Sequence, residues 1–334
     1  MFENEKLIKA AEENNLKVIK NAINAGADDF NEAMRGAAHE GHIKIVKLML
    51  EKGANKFNNA MCNAAWNGHI KIVKLMLEKG VNDFNSTMSY AAFRGHIKIV
   101  KLMLEKGADD FNEAMCYAAS GGHIEIVKLM LKKGADDFNE AMRRADAGHI
   151  EIMKLMLKKG ANDFNGAMYY AADNGHIKVV KLMLEKGADD FNEAMRRAAR
   201  FGHIEIVKLM LKKGANDFNG AMIRAASGGH IEIMKLMLKK GANKKGLALI
   251  EAARMYKINV IKFLLDDGVN INYKNKENET PLSAATRLPI IHYPEPDIET
   301  IKLLISEGAK DLKHALEEAS KNKNKKAAEY LSNF

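Results

Sequence analysis

Two short hydrophobic patterns alternate along this chain and recur many times. In "HIKIVKLMLEK", residues 42–52, Ile43, Val46, Met49 and Leu50 fall on one side of a helical wheel. Lys44, Lys47 and Glu51 fall on the other, so the segment is predicted to be an amphipathic helix. Just upstream, Met34, Ala37 and Ala38 sit at i, i+3 and i+4 and predict a first helix over residues 32–39. Asp29 or Asn31 can cap that helix by accepting from its free N–H groups. Gly41 and Gly53 close the two helices, where a positive φ costs glycine least.

The two-helix unit repeats from Gly26, Gly53, Gly80, Gly107, Gly134, Gly160, Gly187, Gly214, Gly241, Gly268 and Gly308. The period is 27 residues, except for 26 in the unit from Gly134 and 40 in the one from Gly268. A fixed period in this range means a solenoid, because one helix pair cannot bury its apolar face alone. In the 26-residue unit the missing residue lies before Gly148, so a distorted helix end is expected at 146–148. The fold class expected is all-α.

"AAxxGHIxIVKLML(E/K)KGA" resembles the ankyrin repeat, with "GADDFNEAM" standing where that family has a β-hairpin finger and a TPLH motif. The shortened unit is similar to ankyrin repeats abundant in large DNA viruses, mimivirus-like ones especially. One unit keeps the family's finger spacing, "GVNINYKNKENETPLSAAT" at 268–286, with TPL at Thr280–Leu282. The expected organisation is a capping helix pair at 1–25, nine short repeats at 26–267, a full repeat at 268–307 with an inserted loop at 288–297, and a capping pair at 308–334. The resemblance implies a protein-binding module without catalytic activity. It also implies that the histidines of the "GH" pairs, His42 to His230, tie turns together by hydrogen bonds.

Composition narrows the reading further. Two cysteines in 334 residues give no disulfide framework and point to a reducing, intracellular and cytoplasmic setting. No secretory signal and no run of about 18 apolar residues is visible. The net charge of +9 would suit nucleic acid, but residues 187–213 carry six Lys/Arg against four Asp/Glu, and 134–159 five of each. No phosphate loop, nucleophile elbow or metal cluster is present, so no cofactor, metal or enzymatic activity is expected. Sixteen of the twenty methionines occupy the places of Met34 and Met49 and read as core filling.

The informative positions are those equivalent to 35, 36, 39 and 40, which change from unit to unit. They hold eight of the ten arginines, the one tryptophan and four of the eight tyrosines. Lysine is almost absent from them. Arg, Trp and Tyr are enriched at binding hot spots and Lys is depleted, whereas neutral drift in so Lys-rich a chain would supply Lys, Asn and Ser. The candidate protein-binding residues are Trp66, Tyr90, Phe93, Arg94, Tyr117, Arg143, Arg144, Tyr169, Tyr170, Arg196, Arg197, Arg200, Phe201 and Arg224. Ile291, His292 and Tyr293 of the Pro-rich insertion join them. In ankyrin-like stacks this face lines the concave groove. The expected function is capture of a protein partner there, a host protein if the origin is viral. The alternative is nucleic-acid binding through the Arg and aromatic residues of 143–224.

Overall fold

The computed structural model describes residues 2–145, 148–287 and 298–334. The described residues form 24 α-helices and no strand. They divide into two units, Met1–Asp163 and Phe164–Phe334.

In the first unit, helices such as Phe30–Glu40, Phe57–Trp66, Phe84–Phe93 and Phe111–Ser120 form one layer, each packed on the same helix of the units before and after it. The second helices, for example Ile43–Glu51 and Ile97–Lys106, pack on the first helix of their own unit and touch one another little. The second unit repeats this plan with Phe164–Asn174, Phe191–Arg200, Phe218–Gly228 and Lys245–Arg254 in the first layer. Ala33, Met34, Ala37 and Ala38 are fully buried, and so are Ile45, Val46 and Met49. Alanine on the first helix lets backbones approach, and methionine fills the remaining irregular gaps. The apolar face of the second helix keeps Val46 and Met49 but is turned from the expected one. Ile45 is in the core, while Ile43 and Leu50 are only half-buried.

The constant phrases are helix-end devices. Asp29 accepts from Glu32 N at 3.2 Å and caps its helix, as Asp110, Asp137, Asp190 and Asp217 cap theirs. "GH" and "GA" end the two helices in the same way. His42 N donates to Ala37 O at 2.8 Å, and Ala54 N to Met49 O at 3.0 Å. Gly41 and Gly53 hold φ of 84° and 101° between them, which is the Schellman arrangement. In the 26-residue unit the first helix stops at Arg144. Residues 146 and 147 lie outside the described residues. On either side of them, His149 N still reaches the equivalent alanine, Ala145 O at 3.2 Å, across one residue fewer.

Within each of the two units, two ladders of side chains link successive repeats. The histidines donate from Nε2 to a carbonyl of the preceding unit: His69 to His39 O at 2.9 Å, His96 to Trp66 O at 3.1 Å, His203 to Asp173 O at 2.9 Å. The second ladder is the asparagine of "DFN". Asn85 Oδ1 accepts from Asp109 N and Asp110 N at 2.9 and 3.1 Å, and its Nδ2 donates to Asp109 Oδ1 at 2.9 Å. Asn31, Asn112, Asn139, Asn165, Asn192 and Asn219 make the same backbone clamp. Asn31 is therefore the clamp between units, and Asp29 alone is the cap.

The segment with finger spacing, 268–279, is a turn loop. Asn275 Oδ1 accepts from Glu277 N and Glu279 N, and Asn275 N donates to Glu279 O at 3.1 Å. Thr280 and Ser283 then form a capping box on the helix Pro281–Ala285. Glu279 is buried beneath the loop, 2.6 Å from Arg254 and 3.2 Å from Arg287.

Candidate protein-binding surface

The four variable positions have different surroundings. The residue after the buried methionine, the place of Arg35, turns toward the next unit and meets its cap aspartate. Arg143 bonds to Asp163 and to Glu140 of its own helix. Arg196 gives Nη1–H to Asp217 at 2.6 Å and Nη2–H to Glu193 at 2.6 Å. The hydroxyl of Tyr169 donates to Asp190 at 2.5 Å. In other units the same place holds Ser89 and Cys116, both buried. This position joins units together. Of the other three positions, Tyr90, Arg94, Tyr170, Phe201 and Arg224 are exposed, whereas Gly36 and Ser227 are buried and Arg197 bridges to the repeat before it.

In Met1–Asp163, first helices one layer apart bring their ends together as an aromatic row. Trp66 stacks on Phe93 with ring centroids 5.2 Å apart and 22° between planes. Tyr90 meets Trp66 edge-on at 5.9 Å, and Tyr117 meets Phe93 edge-on at 6.2 Å. Arg94 lies over the Trp66 ring at 5.3 Å, and Arg144 over Tyr117 at 5.8 Å. Tyr90 is 37% exposed. Arg144 also bonds Glu140 at 2.7 Å, and those hydrogen bonds outweigh burial and hold the Glu140 carboxyl below the usual range. The rings thus act as glue between repeats, roughly 0.5–1.5 kcal/mol per pair, and Tyr90 leaves apolar area open to solvent.

In Phe164–Phe334 the surface is cationic and partly neutralised. Arg197 spans from Glu193 on its own helix to Asp173 one unit back, at 2.8 and 2.6 Å, and lies 5.2 Å over Tyr169. Burial raises the Asp173 carboxyl above its ordinary pKa although Arg197 opposes it. At Glu193 burial also pushes upward, but the bonds from Arg196 and Arg197 win and its pKa falls. Arg200 lies over Phe201 at 5.5 Å. Phe201 and Tyr170 are 48% and 47% exposed, and Arg224 is exposed. A cavity of about 160 Å³ lies among Asp173, Glu193, Arg196, Arg197, Arg200, Phe201 and Arg224.

Ile291, His292 and Tyr293 lie outside the described residues. Among the described residues, no group of three or more His, Cys, Asp or Glu could hold a metal ion. No helix there is long and apolar enough to cross a membrane. Cys62 and Cys116 are free thiols.

One comparison decides the family. A family model described as ankyrin repeats (3 copies) matches residues 7–88, 82–141, 190–246 and 222–295. A second, ankyrin repeats (many copies), matches residues 168–211. The chain belongs to the ankyrin repeat family. No curated protein matches it. Ankyrin repeats generally mediate protein–protein interaction, and proteins built from them are typically non-enzymatic scaffolds. In this ankyrin array the finger and TPLH of most units are replaced by the Asp cap and the Asn clamp. The short "DDFN" phrase thus joins neighbouring units without a hairpin.

Proposed function

We propose that this chain is a protein-binding ankyrin module whose partner lies on the outward side chains of the first helices. The observation that carries the reading is the row Trp66, Tyr90, Phe93 and Tyr117, flanked by Arg94 and Arg144. Large rigid rings supply contact area at little entropic cost, and arginine supplies planar hydrogen bonding at the rim. Arg200, Phe201 and Arg224 form the contact in the second unit, where carboxylates of a partner are the matching chemistry. The 27-residue unit, similar to repeats of large DNA viruses, supports a viral origin, a host protein as partner and action in the host cytoplasm.

Affinity purification with mass spectrometry from the host cell tests the reading. The informative variant is Phe201→Ala/Arg224→Ala, both residues being exposed. Arg196 and Arg197 stay, because their carboxylate partners in adjoining units make them structural. A partner lost from the variant at unchanged melting temperature supports the surface. A partner retained both by this variant and by Tyr90→Ala/Arg94→Ala removes it. Recovery of nucleic acid instead, with affinity falling steeply as salt rises, would favour the other reading.

A further inference from the structure

At Asp190 and Asp217 the two carboxylate oxygens of the cap have separate partners. Oδ1 accepts from its own helix, as Asp83 does from Ser86 N at 3.4 Å and Asp217 from Gly220 N at 2.9 Å. Oδ2 faces the preceding unit. There it receives Arg143 at Asp163, the Tyr169 hydroxyl at Asp190, and Arg196 at Asp217. At Asp83 the residue in that place is Cys62. Its Sγ stands 3.9 Å from Asp83 Oδ2 and 3.6 Å from Thr87 Oγ1, and a thiol is a weak donor. Burial raises the Cys62 thiol above its ordinary pKa, so it brings no charge of its own at neutral pH.

A short side chain where other units carry arginine leaves room. A cavity of about 420 Å³ opens beside Cys62, Trp66, Asp83, Tyr90, Asn59 and Arg35, a volume in the usual range for ligand pockets. Arg35 is already engaged, its Nε 2.6 Å from Glu32 Oε2.

We propose that this cavity receives an arginine side chain of the protein partner. The inference rests on the reading of this face as a protein-binding surface. A guanidinium can bond Asp83 Oδ2 while lying flat against Trp66 or Tyr90, with the Asn59 amide oxygen available to further N–H groups. The chain uses the same arrangement internally. Arg197 lies over Tyr169 while bonding Asp173, and Arg144 lies over Tyr117 while bonding Glu140. Lysine would meet the carboxylate but offers no plane to stack on a ring.

Trp66 is the one tryptophan of the chain, so its fluorescence reports on this cavity and on the Phe93 and Arg94 contacts beside it. The full chain is titrated with a short end-capped peptide carrying a single arginine, and with the same peptide carrying citrulline, the neutral isostere. The arginine peptide should give a saturable Trp66 change, and the citrulline peptide should bind about tenfold more weakly, the loss of one charge-assisted hydrogen bond. Asp83→Asn keeps a capping oxygen, so the helix stays capped. It should weaken the arginine peptide by about the same factor and leave the citrulline peptide unchanged. Cys62→Arg places in the cavity the side chain that other units carry. It should abolish the peptide response and raise the melting temperature. Equal binding of the two peptides, no Trp66 response, or an Asp83→Asn variant matching wild type would overturn the proposal. None of these outcomes touches the wider surface, which is read separately from partner capture by the Phe201/Arg224 variant.

Discussion

Replacing Asn85 by alanine tests the clamp that stands in for the missing finger. Asn85 Oδ1 holds two backbone N–H groups of the next unit, and its amide reaches the Asp109 side chain. A net hydrogen bond contributes about 0.5–1.5 kcal/mol, so the two backbone bonds set an upper range of about 1–3 kcal/mol. The site is exposed, and water can replace part of the bonding, so a cost of roughly 1–2 kcal/mol is expected. An array of stacked units need not unfold in one step, because each couples mainly to its neighbours. Hydrogen exchange resolved by residue is therefore the better assay. The amides of Asp109 and Asp110 should lose roughly five- to thirtyfold of their protection, given that about 1.4 kcal/mol corresponds to a factor of ten. Asn85→Asp should lie between the two, keeping the acceptor but losing the donor and facing the Asp109 carboxylate. Unchanged protection at 109–110 in the alanine variant would refute the clamp.

Other consequences can be measured on the same protein. Met115 is fully buried, and Met115→Ala should cost about 2–5 kcal/mol in urea unfolding, with neighbouring units fraying first. The Glu140 and Glu193 carboxyls titrate below their ordinary value of 4.5. Their contribution is complete above that value and is lost as pH falls through the depressed folded pKa. Glu140→Gln should therefore flatten part of the loss of stability seen below pH 4.5. Glu113 is the opposite case, raised first by burial and then by the neighbouring Asp110. Glu113→Gln should stabilise the protein at pH 7, and the gain should vanish as pH falls through 4.5. The Cys116 thiol is pushed up to about 12 by burial, so alkylation of the native protein at pH 8 should be far slower at Cys116 than in the unfolded chain.

Much of this fold could be read from single positions. Met34 with Ala37 and Ala38, and the glycines at 41 and 53, specify helix, face and end locally, and the structure follows them. What escaped were the links between units. Asn31 looks like a second cap candidate beside Asp29, because both lie at a helix start. Its partners are backbone groups 24 and 25 residues away, which no local pattern reveals. A signal was present all the same, since the asparagine recurs in unit after unit where one cap suffices. The second helix lies where it is expected, but its buried face is turned, because Ile43 and Ile45 are equally apolar and only packing against the first helix selects Ile45. The variable arginines were read as one class of outward side chain. The division appears only when each is compared with the cap of the next unit: Asp163 follows Arg143 and Asp217 follows Arg196, whereas Asp83 follows Cys62. Tyr90, Arg94, Arg144, Tyr170, Phe201 and Arg224 are exposed.

The central claim is that a partner binds the exposed side chains of the first helices, and that some of these can be removed without loosening the stack. Its most direct test is the affinity of a purified partner for the wild-type chain and for Phe201→Ala/Arg224→Ala, with the melting temperature of each. The account predicts a loss of about tenfold or more in affinity, the scale of a hot spot, at an unchanged melting temperature. Equal affinity, or a loss that only accompanies unfolding, would contradict it.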